Sequence, residues 1–281
     1  MWHGRPARVP FGFKATGGPP VPREMAAKFD LTRLKSQIKP FRLYWFPRLR
    51  STNDHAARLR KRRELFAPAI VLTGKQVKGR GRGTNTWWSA PGSLTATFVL
   101  PIQDHLEPQQ IPLLAGLVVR DVIADLTHES TIQLKWPNDV MYRDRKLAGL
   151  LCERIEKADL VGVGINANVV PGEGPKSLRK KITSMSLIAR RSIDRNELVI
   201  ALADGFARMI SRDRERPFAA ALKEYGRHHA LVGRRVTVRS AGEDTSVSGV
   251  CSALDASGRL LLRSGGRMLR IVAGHVEIHA R

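Results

Sequence analysis

Residues 134–151 read Leu-Lys-Trp-Pro-Asn-Asp-Val-Met-Tyr-Arg-Asp-Arg-Lys-Leu-Ala-Gly-Leu-Leu, a run that leaves the backbone few choices. Proline cannot donate to a sheet ladder, and Asn and Asp favour turns. The pattern predicts a strand over 132–136 stopped at Pro137, a turn at Asn138 and Asp139, another turn over 143–145, and a strand over 146–153. Two such corners place Lys135, Asp139, Arg143 and Lys146 near one end of a sheet. Glycines at 79, 81 and 83, and at 162 and 164, let two further backbone segments approach the same end. Cations gathered with a carboxylate, amides and close backbone suit a phosphorylated or carboxylate ligand.

The rest of the chain sets the limits. Its 281 residues can bury a sizeable core in one large domain or two, and 42% hydrophobic content excludes disorder throughout. Cys152 and Cys251 each lie in an apolar, strand-like run, which reads as buried thiols in a cytoplasmic setting in preference to a disulfide or a metal pair. No run of about 18 uncharged apolar residues occurs, and no apolar signal core opens the chain. Lys and Arg number 48 against 25 Asp and Glu, a net charge of +23. That excess favours nucleic acid, anionic surfaces or acidic partner proteins without selecting among them. No zinc finger, aromatic RNA platform or two-helix reader accompanies it.

Residues 1–24 are rich in Pro and Gly and read as a loosely packed basic extension, with Met25 as an alternative start. A short helix follows near 29–34, then a strand over 41–46, a turn over 47–50 and a helix capped by Ser51, Thr52, Asn53 and Asp54. A strand over 69–72 leads into a basic, glycine-rich loop over 74–88 that ends in Trp87 and Trp88, and a core strand spans 94–100. Ile111, Leu114, Ala115, Val118, Val119, Val122, Ile123 and Leu126 mark one helical face. A strand over 159–165, a turn or strand over 184–189, a helix from Asp194 with a capping-box Glu197, and a shorter helix over 217–225 complete the larger part. Beyond a boundary at 226–233 come only short strands, over 234–239, 246–254, 259–262, 268–272 and 276–279, with turns such as 242–244 between them. They suggest a small barrel. The expected division is 1–38 as extension and short helix, 39–228 as the main domain, and 229–281 as the small one.

The loop with Arg80 and Arg82 among glycines is neither a Walker loop nor a dinucleotide fingerprint. Its guanidinium groups suit directed contacts to carboxylate and phosphate; the bland alternative is a solvated basic loop. In an extended segment Trp87 and Trp88 point oppositely, one to the core and one over a ligand. Lys146 at a strand end can meet a phosphoryl group or simply be solvated. Asp139, Asn138 and Asn166 can orient it or share magnesium with phosphates, yet Asn-Asp after Pro is also an ordinary turn. The histidines form no metal signature.

Taken together, Gly79-Arg80-Gly81-Arg82, Trp87, Lys135-Trp136-Pro137-Asn138-Asp139, Arg145-Lys146-Leu147-Ala148-Gly149, Gly162-Val163-Gly164-Ile165-Asn166 and Ser51-Thr52-Asn53 resemble the biotin–protein ligases over residues 40–281. The resemblance implies an α+β fold: a catalytic domain like those of class II aminoacyl-tRNA synthetases and biotin ligases, with a mixed β-sheet, followed by a small SH3-like β-barrel. It implies a biotin–[acetyl-CoA-carboxylase] ligase. Such an enzyme converts biotin and MgATP to biotinyl-5′-adenylate and pyrophosphate, then passes biotin to one lysine of a biotin carboxyl carrier protein or domain of acetyl-CoA carboxylase and related carboxylases. By matching motifs Ser51, Thr52, Asn53 and Gln76 fall in the biotin pocket, with Gly79, Arg80 and Gly81 nearby. Arg82 holds the carboxylate and phosphate region, Trp87 closes over biotin and adenylate, and Lys146 bridges carboxylate and α-phosphate with Asp139 in support. Lys135, Asn138, Gly149 and Gly164 line the site, and Asn166 lies near the phosphates as a magnesium ligand.

Departures from the family pattern bear on expectation. Thr84 and Asn85 stand where a further Gly-Arg is common, and the link from Glu153 to Leu160 is short. The residues before the catalytic part are too few and too proline-rich for a winged helix, so a monofunctional ligase without specific DNA binding, cytoplasmic and without membrane contact, is expected; a homodimer is compatible with the sequence. The alternatives are a lipoate–protein ligase of the same fold and a non-catalytic, basic nucleic-acid-binding protein on a degenerate ligase scaffold.

Overall fold

The computed structural model describes residues 29–212, 218–239 and 245–279, so the expected extension over 1–24 and the turn over 242–244 lie outside the described residues. Helix α1 (Leu31–Gln37) is capped by the Asp30 carboxylate, which accepts from Arg33 N at 2.9 Å. Strand β1 (Arg42–Leu49) runs straight through the expected turn at 47–50. It is an edge strand paired only with β2 (Ala69–Gln76), and Pro47 falls where no ladder partner is required. Helix α2 (Thr52–Lys61) lies between them, and its N-cap is Ser51.

The glycine-rich segment is not a free loop. It forms a small hairpin of β3 (Gly79–Arg80) and β4 (Thr86–Trp87), followed by β5 (Leu94–Pro101). Helix α3 (Ile111–Thr127) buries the expected apolar face across the sheet. The central corners become β6 (Gln133–Lys135), β7 (Asp139–Tyr142), β8 (Arg145–Ile155) and β9 (Ala158–Ile165). Both tight turns among them, Arg143-Asp144 and Glu156-Lys157, hold two successive residues at positive φ, the geometry that matches the twist of hairpin strands. The expected turn or strand over 184–189 is instead helix α4 (Met185–Ala189), whose fully buried Met185 anchors it to the core. Helices α5 (Arg195–Arg212) and α6 (Phe218–Arg227) follow.

Seven strands in the order β1-β2-β5-β9-β8-β7-β6 make a mixed sheet, parallel only between β1 and β2. Its apolar core is lined by residues such as Phe98, Val119, Leu147 and Phe206. No described helix is long and apolar enough to cross a membrane.

The C-terminal strands are β10 (Arg235–Arg239), β11 (Ser246–Leu254), β12 (Leu260–Ser264), β13 (Arg267–Ile271) and β14 (His275–Ile278). The barrel expected for them does not form. Their order, β13-β12-β11-β10-β14, leaves β13 and β14 as separate edges of an open sheet. Closure is unnecessary for burial because the larger unit covers the apolar face. Val236, Cys251, Leu260, Leu262 and Val276 belong to the same core as α3 and α5. Trp136 Nε1 donates to Gly258 O at 3.0 Å, where the β11–β12 turn meets Leu113 and Phe218.

Candidate active site

At one end of the large sheet lies a cavity of about 470 Å³, within the range that small-molecule sites occupy. Its floor is bare backbone, because β8 and β9 place Gly149 directly opposite Gly164. A Cβ on Gly164 would sit 2.5 Å from the Trp87 indole, and one on Gly149 would sit 2.8 Å from Lys146 Cε. Glycine at both positions lets the indole and the lysine lie against the strands. Trp87 Nε1 is buried without a hydrogen-bond partner in the protein.

Positive charge converges on that floor. The β6–β7 register sets Lys135 opposite Asp139, and Lys146 Nζ lies 2.6 Å from Asp139 Oδ1. Burial lowers the Lys135 pKa; Asp139 opposes the shift, while the Lys146 ammonium adds to it. Burial acts the same way on Arg82, against the attraction of Asp139, but a guanidinium stays charged. The Lys146 ammonium also stands 5.9 Å from the Trp87 ring centroid. One carboxylate thus pairs with Lys146 and attracts Lys135 and Arg82, cations from three segments.

The opposite end is built from neutral polar groups. Thr52 N donates to Gln76 Oε1 at 2.8 Å, and Thr52 Oγ1 approaches the same oxygen at 3.3 Å. Ser51 Oγ accepts from Asp54 N as the helix cap. Asn53 is a strut: it accepts from Thr97 Oγ1 at 2.6 Å and donates to Leu151 O and Glu153 Oε2.

Over the floor lies the β3–β4 hairpin. Arg80 is clasped between Asp54, at 2.7 Å, and Glu153, at 2.8 Å. Asn85 closes the hairpin turn, its Nδ2 donating to Arg82 O at 2.9 Å, while Gly81 N donates to Asn85 O. Arg82 reaches the other unit, where Nη2 donates to Gly274 O at 2.7 Å. His275, beside that carbonyl, lines the same cavity; burial and the neighbouring Lys135 lower its pKa.

Ser51, Thr52, Asn53, Gln76, Arg80, Gly81, Arg82 and Trp87 line this cavity, as do Lys135, Asn138, Asp139, Lys146, Gly149, Gly164 and Asn166. Gly79 stands behind the wall, where a Cβ would strike Gln76 and Trp87. Arg143 departs from the expected cluster because the length of β7 separates it from Asp139, and it sits over Tyr142 instead. Trp88 packs with Ala90, Val169 and Ile182, yet it too lines the cavity, so the two tryptophans do not divide between core and site. Asn138 ties β8 through Leu150, and Asn166 is buried with Nδ2 3.4 Å from Lys146 O. No group of three or more His, Cys, Asp or Glu able to hold a metal occurs among the described residues. The Asn166 amide, which lines the cavity, offers a hard oxygen donor of the kind that a magnesium ion brought in on phosphates would take.

Sequence reasoning missed Asp54, Glu153, Thr97, Gly274 and His275. An arginine fixed among glycines calls for carboxylate partners, which could have led to the acids; Gly274, 192 positions from Arg82, leaves no local signal.

Residues 45–169 match the model of the biotin/lipoate A/B protein ligase family, and residues 231–278 match the biotin protein ligase C-terminal domain. The chain is 32% identical over 221 residues to the biotin–[acetyl-CoA-carboxylase] ligase of Mycobacterium tuberculosis, covering 75% of this chain and 79% of that one. It is 29% identical to the Paracoccus denitrificans enzyme of the same name, covering 76% and 90%. Among solved structures it resembles the biotin protein ligase of Aquifex aeolicus in complex with biotin and ATP, with a TM-score of 0.75, 25% identity and coverage of 85% and 99%. With cavity, order of motifs and both matched segments in agreement, the chain belongs to the biotin protein ligase family.

Proposed function

We infer that this cavity joins biotin to AMP and hands the biotinyl group to a lysine of a carrier protein. The observation that carries the reading is the meeting of Lys135, Lys146 and Arg82 around Asp139, beside the neutral Thr52–Gln76 end. The neutral end suits the ureido ring of biotin, whose polar edge needs fixed donors and acceptors. The cationic end suits the carboxylate and the triphosphate.

In the first step the biotin carboxylate attacks the α-phosphorus and pyrophosphate leaves. Two anionic partners must approach, so Lys146 and Arg82 screen their repulsion and stabilise charge on the in-line transition state. Asp139 keeps the Lys146 ammonium aimed at that point. Magnesium brought in with ATP would find the Asn166 amide as a protein ligand and would supply further charge neutralisation. Trp87 and the hairpin shield the mixed anhydride from water. In the second step a neutral lysine amine attacks the acyl carbon and AMP leaves; placement supplies much of the rate.

The acceptor we expect is a carboxyl carrier domain of acetyl-CoA carboxylase or a related carboxylase, and we expect no sequence-specific DNA binding. A cytoplasmic location belongs to the same proposal, supported by the free thiols of Cys152 and Cys251. The test is transfer of labelled biotin to an apo carrier domain with MgATP, alongside biotin-dependent ATP–pyrophosphate exchange. Both activities are expected, with no exchange on lipoate. Exchange on lipoate but not on biotin would reverse the substrate assignment.

A further inference from the structure

The open C-terminal sheet has one face against the core and one in solvent. Strand alternation sorts its residues: Val236, Val238, Cys251, Leu260, Leu262 and Val276 are buried, whereas Arg235, Arg239, Arg263, Arg270, His275 and Glu277 are exposed. The register aligns the outward residues. Arg235 pairs with Val250, Val250 with Arg263, and Arg263 with Met268, making one row across four strands. Arg270 stands opposite Leu261, next to that row.

The basic face is continuous with the mouth of the cavity. Arg239 pairs with His275 across β10 and β14, and both line the cavity. From Arg239 to Arg235 the strand advances roughly 13 Å, and from β10 to β12 the sheet spans about 10 Å. A globular domain that inserts one side chain into the cavity therefore lies within reach of these arginines. Charge is lopsided there. Among the described residues the outward carboxylate on these strands is Glu277, which is 3.1 Å from Arg239. Arg235 and Arg263 meet no carboxylate among the described residues, and Arg270 lies 4.0 Å from Asp255.

The outward side chains also speak against a nucleic-acid platform. They include Thr237, Ser248, Val250, Leu261 and Met268 but no Phe, Tyr or Trp on which bases could stack. Guanidinium groups spaced along a sheet suit carboxylates, which they can engage with paired hydrogen bonds.

We propose that Arg235, Arg263 and Arg270 form a docking face for an acidic surface of the carrier domain, which orients its acceptor lysine toward the cavity. This rests on the ligase reading and adds where, and by what chemistry, the protein substrate binds. None of the three arginines lines the cavity, so the adenylation step is untouched by them. Charged residues around an interface act chiefly on encounter rate and salt dependence.

The experiment compares the full chain with the triple variant R235E/R263E/R270E and, as a gentler form that keeps the fold, R235Q/R263Q/R270Q. Two rates are read: biotin-dependent ATP–pyrophosphate exchange, which needs no carrier, and biotin transfer to an apo carboxyl carrier domain of net negative charge. Exchange is expected to stay unchanged in both variants. The KM for the carrier is expected to rise roughly tenfold in the charge-reversed form and less in the neutral one, with the salt dependence of transfer flattened. A carrier whose acidic side chains are neutralised should transfer poorly with the unmodified chain and be indifferent to the variants. An unchanged carrier KM overturns the proposal, as does a parallel loss of exchange and transfer. Loss of salt-sensitive binding to a random-sequence duplex with carrier KM intact would overturn it in favour of nucleic acid. Absence of exchange in the unmodified chain would instead count against the ligase reading.

Discussion

The floor and the roof of the cavity are made differently. The floor is a pair of long antiparallel strands, β8 and β9, matched residue by residue from Ala148 with Ile165 to Ile155 with Ala158. The roof is a hairpin of two residues per strand, held by ion pairs of Arg80 that are each partly exposed. Exposed pairs contribute under about 1 kcal/mol apiece, whereas a central ladder opens only with much of the domain. One part is fixed with the whole domain, and the other is held by contacts weak enough to part locally.

The largest effect should come from the floor's charge. Lys146→Ala leaves Asp139 without its 2.6 Å partner and removes the cation assigned to the α-phosphate. Pyrophosphate exchange should fall about a hundred- to a thousand-fold, with the fold intact by circular dichroism; unchanged exchange would remove Lys146 from its role. Next comes the floor's shape. Gly164→Ala puts a Cβ where the Trp87 ring stands, so the indole must shift. Adenylation should drop roughly tenfold or more, as expected when a positioning contact moves by an ångström, while Gly172→Ala, which meets nothing within 4 Å, should be silent.

The roof should respond more gently and in another observable. Glu153→Gln weakens the hold on Arg80 while keeping the Asn53 strut hydrogen-bonded. Adenylation should change by no more than about threefold, consistent with an exposed pair, but the release of biotinyl-adenylate into solution should rise. A fall in adenylation with no extra release would place Glu153 with the floor.

A final test leaves turnover at neutral pH unchanged. His229 is buried beside Leu134 of the edge strand, with neither ring nitrogen hydrogen-bonded, and burial pushes its pKa down to about 4. Between pH 6.5 and 4 the unfolded chain takes up this proton and the folded chain does not, so stability falls by about 3 kcal/mol across that window as the solution is acidified. Denaturation midpoints of His229→Leu should vary less over the same range. Identical pH profiles would show that the ring is not buried neutral.

What the sequence reveals follows the same division. The floor was legible because proline, the Asn-Asp turn, glycines and period-two apolar runs each act locally, so Lys135, Asp139 and Lys146 fell together as their spacing implies. The roof's chemistry was legible in part, since Arg80 and Arg82 among glycines suit carboxylate and phosphate, but the residues alone left a solvated loop as the alternative. Where each arginine points depends on Glu153 and Gly274, which the chain brings up from distant strands. The expected barrel failed for a related reason. Closure would have been one way to bury Leu260, Leu262 and Val276, but the core of the larger unit takes them in instead, with α6 packed against β11, and no local pattern encodes a neighbour's face. Arg143 left the expected cluster of Lys135, Asp139 and Lys146 because a strand of four residues carries it to the far end of β7.

The central claim is that Lys146 and Arg82 meet the reacting carboxylate and phosphate above the Gly149–Gly164 pair. A crystal structure of the protein with biotin and a non-hydrolysable ATP analogue tests it most directly. The account predicts both cations within hydrogen-bond distance of the biotin carboxylate or the α-phosphate, with the Thr52–Gln76 end at the ureido ring. Ligands bound elsewhere, or seated in the cavity with both cations turned away from them, would contradict it.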